Sequence, residues 1–193
     1  MGGLILSLTL LVAGQQQQVI VPALAFEDQF EKAHDVKHHR GDVLILIYGD
    51  RKSADANRQL GEQIHVAFHP AARGQTPTEA RKAPVRSVAG AAAGARSPDV
   101  ITVPVALIGK VPPLVRGPIR AAFRKNSPEV PVWLDFADTM KSQFPFTAGV
   151  PNVIVLDTQG RYRYAAAGVP SADGMKRLLD TIEALRQEAL ANK

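Results

Sequence analysis

The stretch Gly49-Asp50-Arg51-Lys52-Ser53-Ala54-Asp55 is where this chain is best furnished for chemistry. A hydroxyl, two cations and two carboxylates fall within seven residues, at the point where an apolar run gives way to an amphipathic one. A helix starting near Ser53 turns unpaired amides and partial positive charge toward that stretch. With Arg51 and Lys52 added, this is the make-up of a site for an anion or a carboxylate. Asp50 and Asp55 can equally neutralise the two cations in a surface loop, which leaves no site. Ser53 is the candidate nucleophile, but a hydroxyl needs an adjacent base and the sequence places none beside it. Its ordinary role is to cap the helix, and no catalytic residue is assigned.

The chain of 193 residues contains no cysteine, which excludes thiol-disulfide exchange and thiol-dependent peroxide chemistry. His65 and His69 stand at i, i+4 spacing, yet Pro70 ends the helix there and no third ligand sits at a suitable distance in sequence; His38-His39 is no better furnished. No metal site and no cofactor are expected. The glycines match no phosphate loop, and no Gly-x-Ser-x-Gly is present.

Charge is unevenly spread. From Pro70 to Pro128 ten basic residues face only Glu79 and Asp99, a local excess of +8, while the rest of the chain is slightly acidic. The basic balance therefore belongs to one region, and specific nucleic-acid binding is not implied. Within it Arg116, Arg120 and Arg124 recur at i, i+4, i+8. Such a stripe meets phosphate, lipid headgroups or an acidic partner, or is simply solvated, with Ile119, Ala122 and Phe123 free to face the core.

These residues must be positioned by a scaffold that the apolar pattern outlines. Leu4 to Ala25 carries no charge and ends in Ala23-Leu24-Ala25, a small-x-small pattern, so residues 1–25 read as a signal peptide cleaved before Phe26. No basic residue precedes the apolar run, and Gln15 to Gln18 interrupts it; a tethered or buried N-terminal helix is the alternative. A cleaved leader makes the protein periplasmic or secreted. Phe26 to His39 has helical spacing. Val43 to Tyr48 is a continuous apolar run, predicting a central strand buried on both faces, followed by a helix whose Ala56, Leu60, Ile64 and Ala67 form one face. Residues 70–99, rich in Ala, Gly, Pro and Arg, read as a flexible low-complexity insertion. Val100 to Ile108 resumes a strand, where Pro104 implies an edge or a bulge. Gly117-Pro118 is expected to open the next helix. Val130 to Leu134 is a short strand, and Asn152 to Leu156 with Arg161 to Ala166 is a hairpin turned by Asp157-Thr158-Gln159-Gly160. Ser171 caps a final helix lined by Met175, Leu178, Leu179, Ile182 and Leu185.

At Val150-Pro151-Asn152-Val153-Ile154-Val155-Leu156-Asp157-Thr158-Gln159-Gly160 the sequence resembles the redoxin and TlpA-like branch of the thioredoxin-like superfamily, as does Val132-Trp133-Leu134-Asp135. Arg51-Lys52-Ser53-Ala54 is similar to a stretch of the YtfJ-like periplasmic proteins. The resemblance covers about Gly41 to Ala189 less the insertion. It implies an α/β three-layer fold with a central mixed sheet flanked by helices, formed by residues 26–193. It places the redox cysteine at the strand-to-helix slot, which here holds none, and implies that Pro151 is cis. A proline there suits a peptide groove or a turn that the fold needs in any case.

The expected function is a non-catalytic domain of the cell envelope that binds a protein or peptide through Tyr48, Gly49, Asp50, Arg51, Lys52, Ser53 and Asp55, together with Val150, Pro151 and Asn152. The alternatives are a redoxin relative using a non-cysteine catalytic group and a module contacting anionic lipid or polyanion through the arginine stripe. The purified chain is expected neither to reduce insulin disulfides nor to consume hydrogen peroxide above a blank, as turbidity and peroxide assays would show.

Overall fold

The strand β3 (Val43–Gly49) is buried at every position, and its alternate side chains feed two separate cores. Leu44, Leu46 and Tyr48 enter one; Val43, Ile45 and Ile47 enter the other. An apolar residue at every position is what a strand covered on both faces requires. The structure, a computed structural model, describes residues 24–92 and 94–191.

β3 is paired on both edges, in parallel with β4 (Val100–Leu107) and antiparallel with β6 (Asn152–Leu156). Beyond β6 lies β7 (Tyr162–Ala167), and beyond β4 lie β5 (Trp133–Asp135), β1 (Ala25–Asp28) and β2 (Ala33–Asp35). The order of the seven-stranded sheet is β2-β1-β5-β4-β3-β6-β7. Leu60, Ile64 and Phe68 of α1 (Ala54–Phe68) and Leu178, Ile182 and Leu185 of α5 (Ala172–Ala191) cover one face. The opposite core gathers Leu24, Phe26, Val36, Trp133 and Met140, the last from α4 (Thr139–Gln143).

Phe26 to His39 is not the helix its spacing predicts. It forms β1, a turn, β2 and a 3-10 turn over Val36–His39. The buried Asp28 carboxylate dictates this: it accepts from the backbone of Phe30 and Lys32 and meets the His34 ring at 2.8 Å, folding the chain back on itself. Phe30 is left 46% exposed, because no core faces that side. Pro104 lies neither on an edge strand nor at a bulge, since β4 is paired on both sides and its register with β3 is continuous. It pairs with Ile47 of β3, and the β4–β5 ladder begins only at the next residue, Val105, so Pro104 has a ladder partner on one side alone. The helix α3 (Pro113–Asn126) begins four residues before Gly117, with Pro113 first and Pro118 inside it. Proline is tolerated there because Leu114, whose carbonyl loses its helical donor, is exposed to water. Ser171 caps α5 as expected, accepting from Gly174 at 3.2 Å.

Residues 1–23, most of the stretch read as a signal peptide, lie outside the described residues. Leu24 is fully buried and its carbonyl accepts the Val36 N–H at 3.1 Å, so the bond between Ala25 and Phe26 lies within β1.

The segment read as a low-complexity insertion has little regular structure beyond a 3-10 turn at Pro70–Ala72 and α2 (Pro77–Ala80). Arg186, fully buried on α5, ties it down: its guanidinium donates to the carbonyls of Pro98 and Arg86 at 2.9 and 2.6 Å and pairs with Glu183. Arg86 and Arg186 both lie against the Phe68 ring, at 5.0 and 5.6 Å. At the base of the segment His69 meets Asp99 at 2.8 Å, joining the residues just before Pro70 and just after Pro98.

Replacing Arg186 by Ala leaves these carbonyls and Glu183 without their buried donor and is expected to cost about 3 kcal/mol or more in urea unfolding. Trypsin should then cut at Arg73, Arg81, Lys82, Arg86 or Arg96 sooner than global unfolding accounts for. A second prediction concerns acid. The His69 hydrogen bond holds the Asp99 carboxyl below the usual range. Burial works against the Asp157 charge, but the backbone N–H groups of Arg161 and Gln159 and the guanidinium groups of Arg161 and Arg163 outweigh it and lower its pKa too. Carboxyls depressed in the folded state contribute stability above their unfolded pKa and lose it as pH falls through the folded value. The melting midpoint should therefore drop below about pH 4, and Asp157→Asn should lower it at pH 7 while flattening that acid fall.

Candidate functional site

The end of β3 and the start of α1 are held together by one carboxylate. Asp50 Oδ1 accepts from the backbone of Lys52 and Ser53 at 2.9 and 3.3 Å, closing a 3-10 turn over Arg51–Ser53. Its Oδ2 accepts the Gly149 N–H at 2.9 Å, from the loop that leads to Pro151. Desolvation opposes the charge, but the three N–H donors outweigh it and hold the carboxyl below the usual carboxylate range. The cap is thus Asp50, not Ser53 as the sequence suggests. The Ser53 side chain makes no capping bond; its hydroxyl donates to the Asp50 carbonyl at 3.0 Å and the residue is 1% exposed.

Gly49 is required by this packing. A Cβ there would lie 2.0 Å from Ser53 Oγ and 2.8 Å from Asn57 Nδ2, so the serine sits directly over the glycine backbone. The consequence for chemistry is twofold. Ser53 has neither access to solvent nor a base in contact, and the amides of Lys52 and Ser53 that an anion would use are already taken by Asp50. Asp55 pairs loosely with Arg58 at 3.9 Å, leaving Arg51 and Lys52 exposed beside the turn.

The Val150-Pro151-Asn152 corner departs from the resemblance. Among the described residues there is no cis peptide bond, so Pro151 is trans. Trans is the intrinsically favoured form, and here the corner is fixed by other means. Asn152, fully buried, accepts the Thr147 N–H at 2.8 Å and donates to the carbonyls of Thr147 and Val150, both at 2.9 Å. The Pro151 carbonyl accepts from Gly168 at 2.8 Å. The Val150 carbonyl, which an added peptide strand could have used, is therefore occupied by the chain's own side chain. Tyr48 closes the same corner by donating its hydroxyl to the Pro145 carbonyl, and burial, with the Tyr162 charge secondary, pushes its pKa up to about 12.

The residues singled out in the sequence do converge. Tyr48, Gly49, Ser53, Pro151 and Asn152 are buried within the junction; Arg51, Lys52 and Asp55 are exposed on its rim, and Asp50 and Val150 lie between. Sequence reasoning missed Gly149 and Thr147. An Asp two residues before Lys52 is the signature of a side chain closing a turn on the backbone, but nothing in the sequence tells which distant amide its second oxygen takes.

The arginine stripe lies elsewhere, with Arg116 and Arg120 turned inward and Arg124 exposed. Arg116 and Arg120 lie over the Phe136 ring at 5.0 and 5.5 Å, Arg120 also pairs with Glu27, and Arg124 donates to the Gln29 carbonyl at 2.7 Å. Ala122, expected to face the core, is exposed. His65 and His69 stack at 4.1 Å, with His65 on the Ala80 carbonyl and His69 on Asp99.

No protein-family model matches the chain, and no curated protein does. Solved structures do. A candidate protein disulfide isomerase from Bacteroides thetaiotaomicron is similar at 13% identity and TM-score 0.54, over 88% of this chain and 89% of that one. The pneumococcal exposed lipoprotein thioredoxin of Streptococcus pneumoniae is similar at 10% identity and TM-score 0.52, over 82% and 98%. A secreted thiol-disulfide isomerase from Corynebacterium glutamicum is similar at 17% identity and TM-score 0.51, over 86% and 84%. At such identities the likeness bears on the fold alone. The chain has the thioredoxin-like fold, a mixed seven-stranded sheet flanked by helices, built without a cysteine.

Proposed function

We propose that this chain is a non-catalytic thioredoxin-like domain of the cell envelope that binds a protein or peptide at the junction of β3, α1 and the Pro151 loop. The observation that carries the reading is the Asp50 bridge: the strand-to-helix slot and the Pro151 loop are held in register by a carboxylate, with no thiol and no accessible nucleophile between them. A catalytic role for another group finds no support there, since the buried Ser53 hydroxyl already donates to Asp50. Recognition falls to the rim, where Arg51 and Lys52 stand exposed next to Gly149 and Val150, a setting for an acidic or carboxylate-bearing segment. The uncharged Leu4–Ala25 stretch and the secreted or lipoprotein character of two similar structures support the envelope.

A photo-crosslinking residue at Arg51 or Val150, expressed in the native host, is expected to capture the same partner, visible as one shifted band. The band should vanish with Lys52→Glu, and a crosslinker at the exposed Gln187 should give none. Equal capture from Gln187, or none from either rim position, would overturn the proposal. The packing itself has a separate test. Gly49→Ala drives a methyl into Ser53 and should cost roughly 1–3 kcal/mol in urea unfolding, part of which a second change, Ser53→Ala, restores.

A further inference from the structure

The helix α3 is mounted with Arg116 and Arg120 beneath it and with Leu114 and Val115 outward. No residue of α3 is buried. Its inward side consists of Arg116 and Arg120 on Phe136, with half-buried Ile119 and Phe123 beside them. The Nε atoms of both arginines are enclosed without a hydrogen-bond partner, an unusual lining for a helix underside. The outward row is Leu114, Pro118, Ala121, Ala122 and Lys125, at i, i+4, i+7, i+8 and i+11. Leu114 is 89% exposed, and the adjoining Val115 is 41% exposed.

Two observations bear on what could cover this face. Arg120 meets Glu27 and Arg124 meets Gln29, so α3 runs parallel to β1; four helical residues rise about 6 Å and two strand residues about 7 Å. Carried back along both elements, Leu24 comes level with the start of α3, near Leu114. The uncharged run from Leu4 to Ala25 thus joins the fold at the most apolar end of the helix. From Lys110 to Asn126 there are five cations and no acid, and Lys110, Arg124 and Lys125 are exposed at the two ends of the row. An apolar helical ridge, flanked by cations and reached by an uncharged segment, has the chemistry of a surface that lies on anionic lipid.

We propose that α3 lies flat on an anionic bilayer surface, with Leu114, Val115 and Pro118 entering the headgroup region and Lys110 and Lys125 on lipid phosphates. The inward arginines then act as struts from Phe136 and Glu27 and not as lipid ligands. This face is distinct from the junction at β3, and its test is independent of the partner reading.

Because the chain has no cysteine, single labelling sites are available. An environment-sensitive fluorophore on Ala121→Cys of the full chain is expected to shift to the blue with vesicles of phosphatidylglycerol and phosphatidylethanolamine, and much less with phosphatidylcholine alone. The same label on Gln187→Cys should not shift. Lys125→Glu in the Ala121→Cys background should weaken the response on the order of tenfold, and Leu114→Ser should diminish it with the fold intact by circular dichroism. If the chain sediments with vesicles while the Ala121 label stays unshifted, the N-terminal run alone holds it and α3 does not touch lipid. A shift without vesicles that grows with protein concentration would assign the face to a second copy. An equal response to neutral lipid would remove the role of the cations. Each of these overturns the proposal.

Discussion

With both faces of β3 buried and both of its edges paired, any chemistry at this centre can emerge only where the strand ends. Tyr48 and Gly49 are the last residues of that strand, and the turn that follows must reverse direction, start α1 and meet the Pro151 loop within a few residues. Asp50 satisfies all three demands with one carboxylate. Two backbone amides that a helix start leaves unpaired, and one from the facing loop, converge on it. The absence of a side chain at Gly49 lets Ser53 settle over the strand end, and Asn152 repeats the arrangement from the other side by occupying the carbonyls of its own corner. The junction is consequently closed by internal polar contacts, with Arg51, Lys52 and Asp55 exposed on its rim.

Much of the scaffold was legible because burial on two faces leaves an unmistakable mark. Val43 to Tyr48 admits few readings other than a central strand, and the Asp157 turn with Gly160 sets a hairpin by local geometry alone. At several places where the sequence misled, a single polar side chain with a distant or unforeseen partner was responsible. Asp28 folds Phe26 to His39 into strands although their spacing is helical. Gln29 accepts from Val132 and donates to Ser127 and Val130, doing in one side chain what a longer strand at Val130 to Leu134 would have done. Helical periodicity correctly grouped Arg116, Arg120 and Arg124, yet it cannot say which side of a helix faces inward. That was decided by Phe136 and Glu27, residues remote in sequence.

The 70–98 segment teaches a related lesson about composition. Its Ala, Gly and Pro content leaves few apolar groups to bury, and regular structure is correspondingly sparse. Fixation comes from outside, through a buried arginine on the last helix and an imidazole-carboxylate contact across the segment's base. Val88, buried to 2% exposure, is one of the few residues of the segment that contribute to the interior directly. A stretch lacking a core of its own can thus be fixed in large part through its backbone carbonyls, where a fully enclosed donor reaches them.

The seat of Ser53 has a consequence for thiol chemistry. Serine and cysteine differ by one atom and can be exchanged by one nucleotide, so a thiol at this place would be simple to introduce on paper. A sulfur in that position would be shut away from solvent over Gly49, without access to a substrate and with burial disfavouring its thiolate. Opening that position to solvent would also require Asp50 to release the turn it closes. In this packing a single exchange at residue 53 supplies a sulfur but not a reactive one.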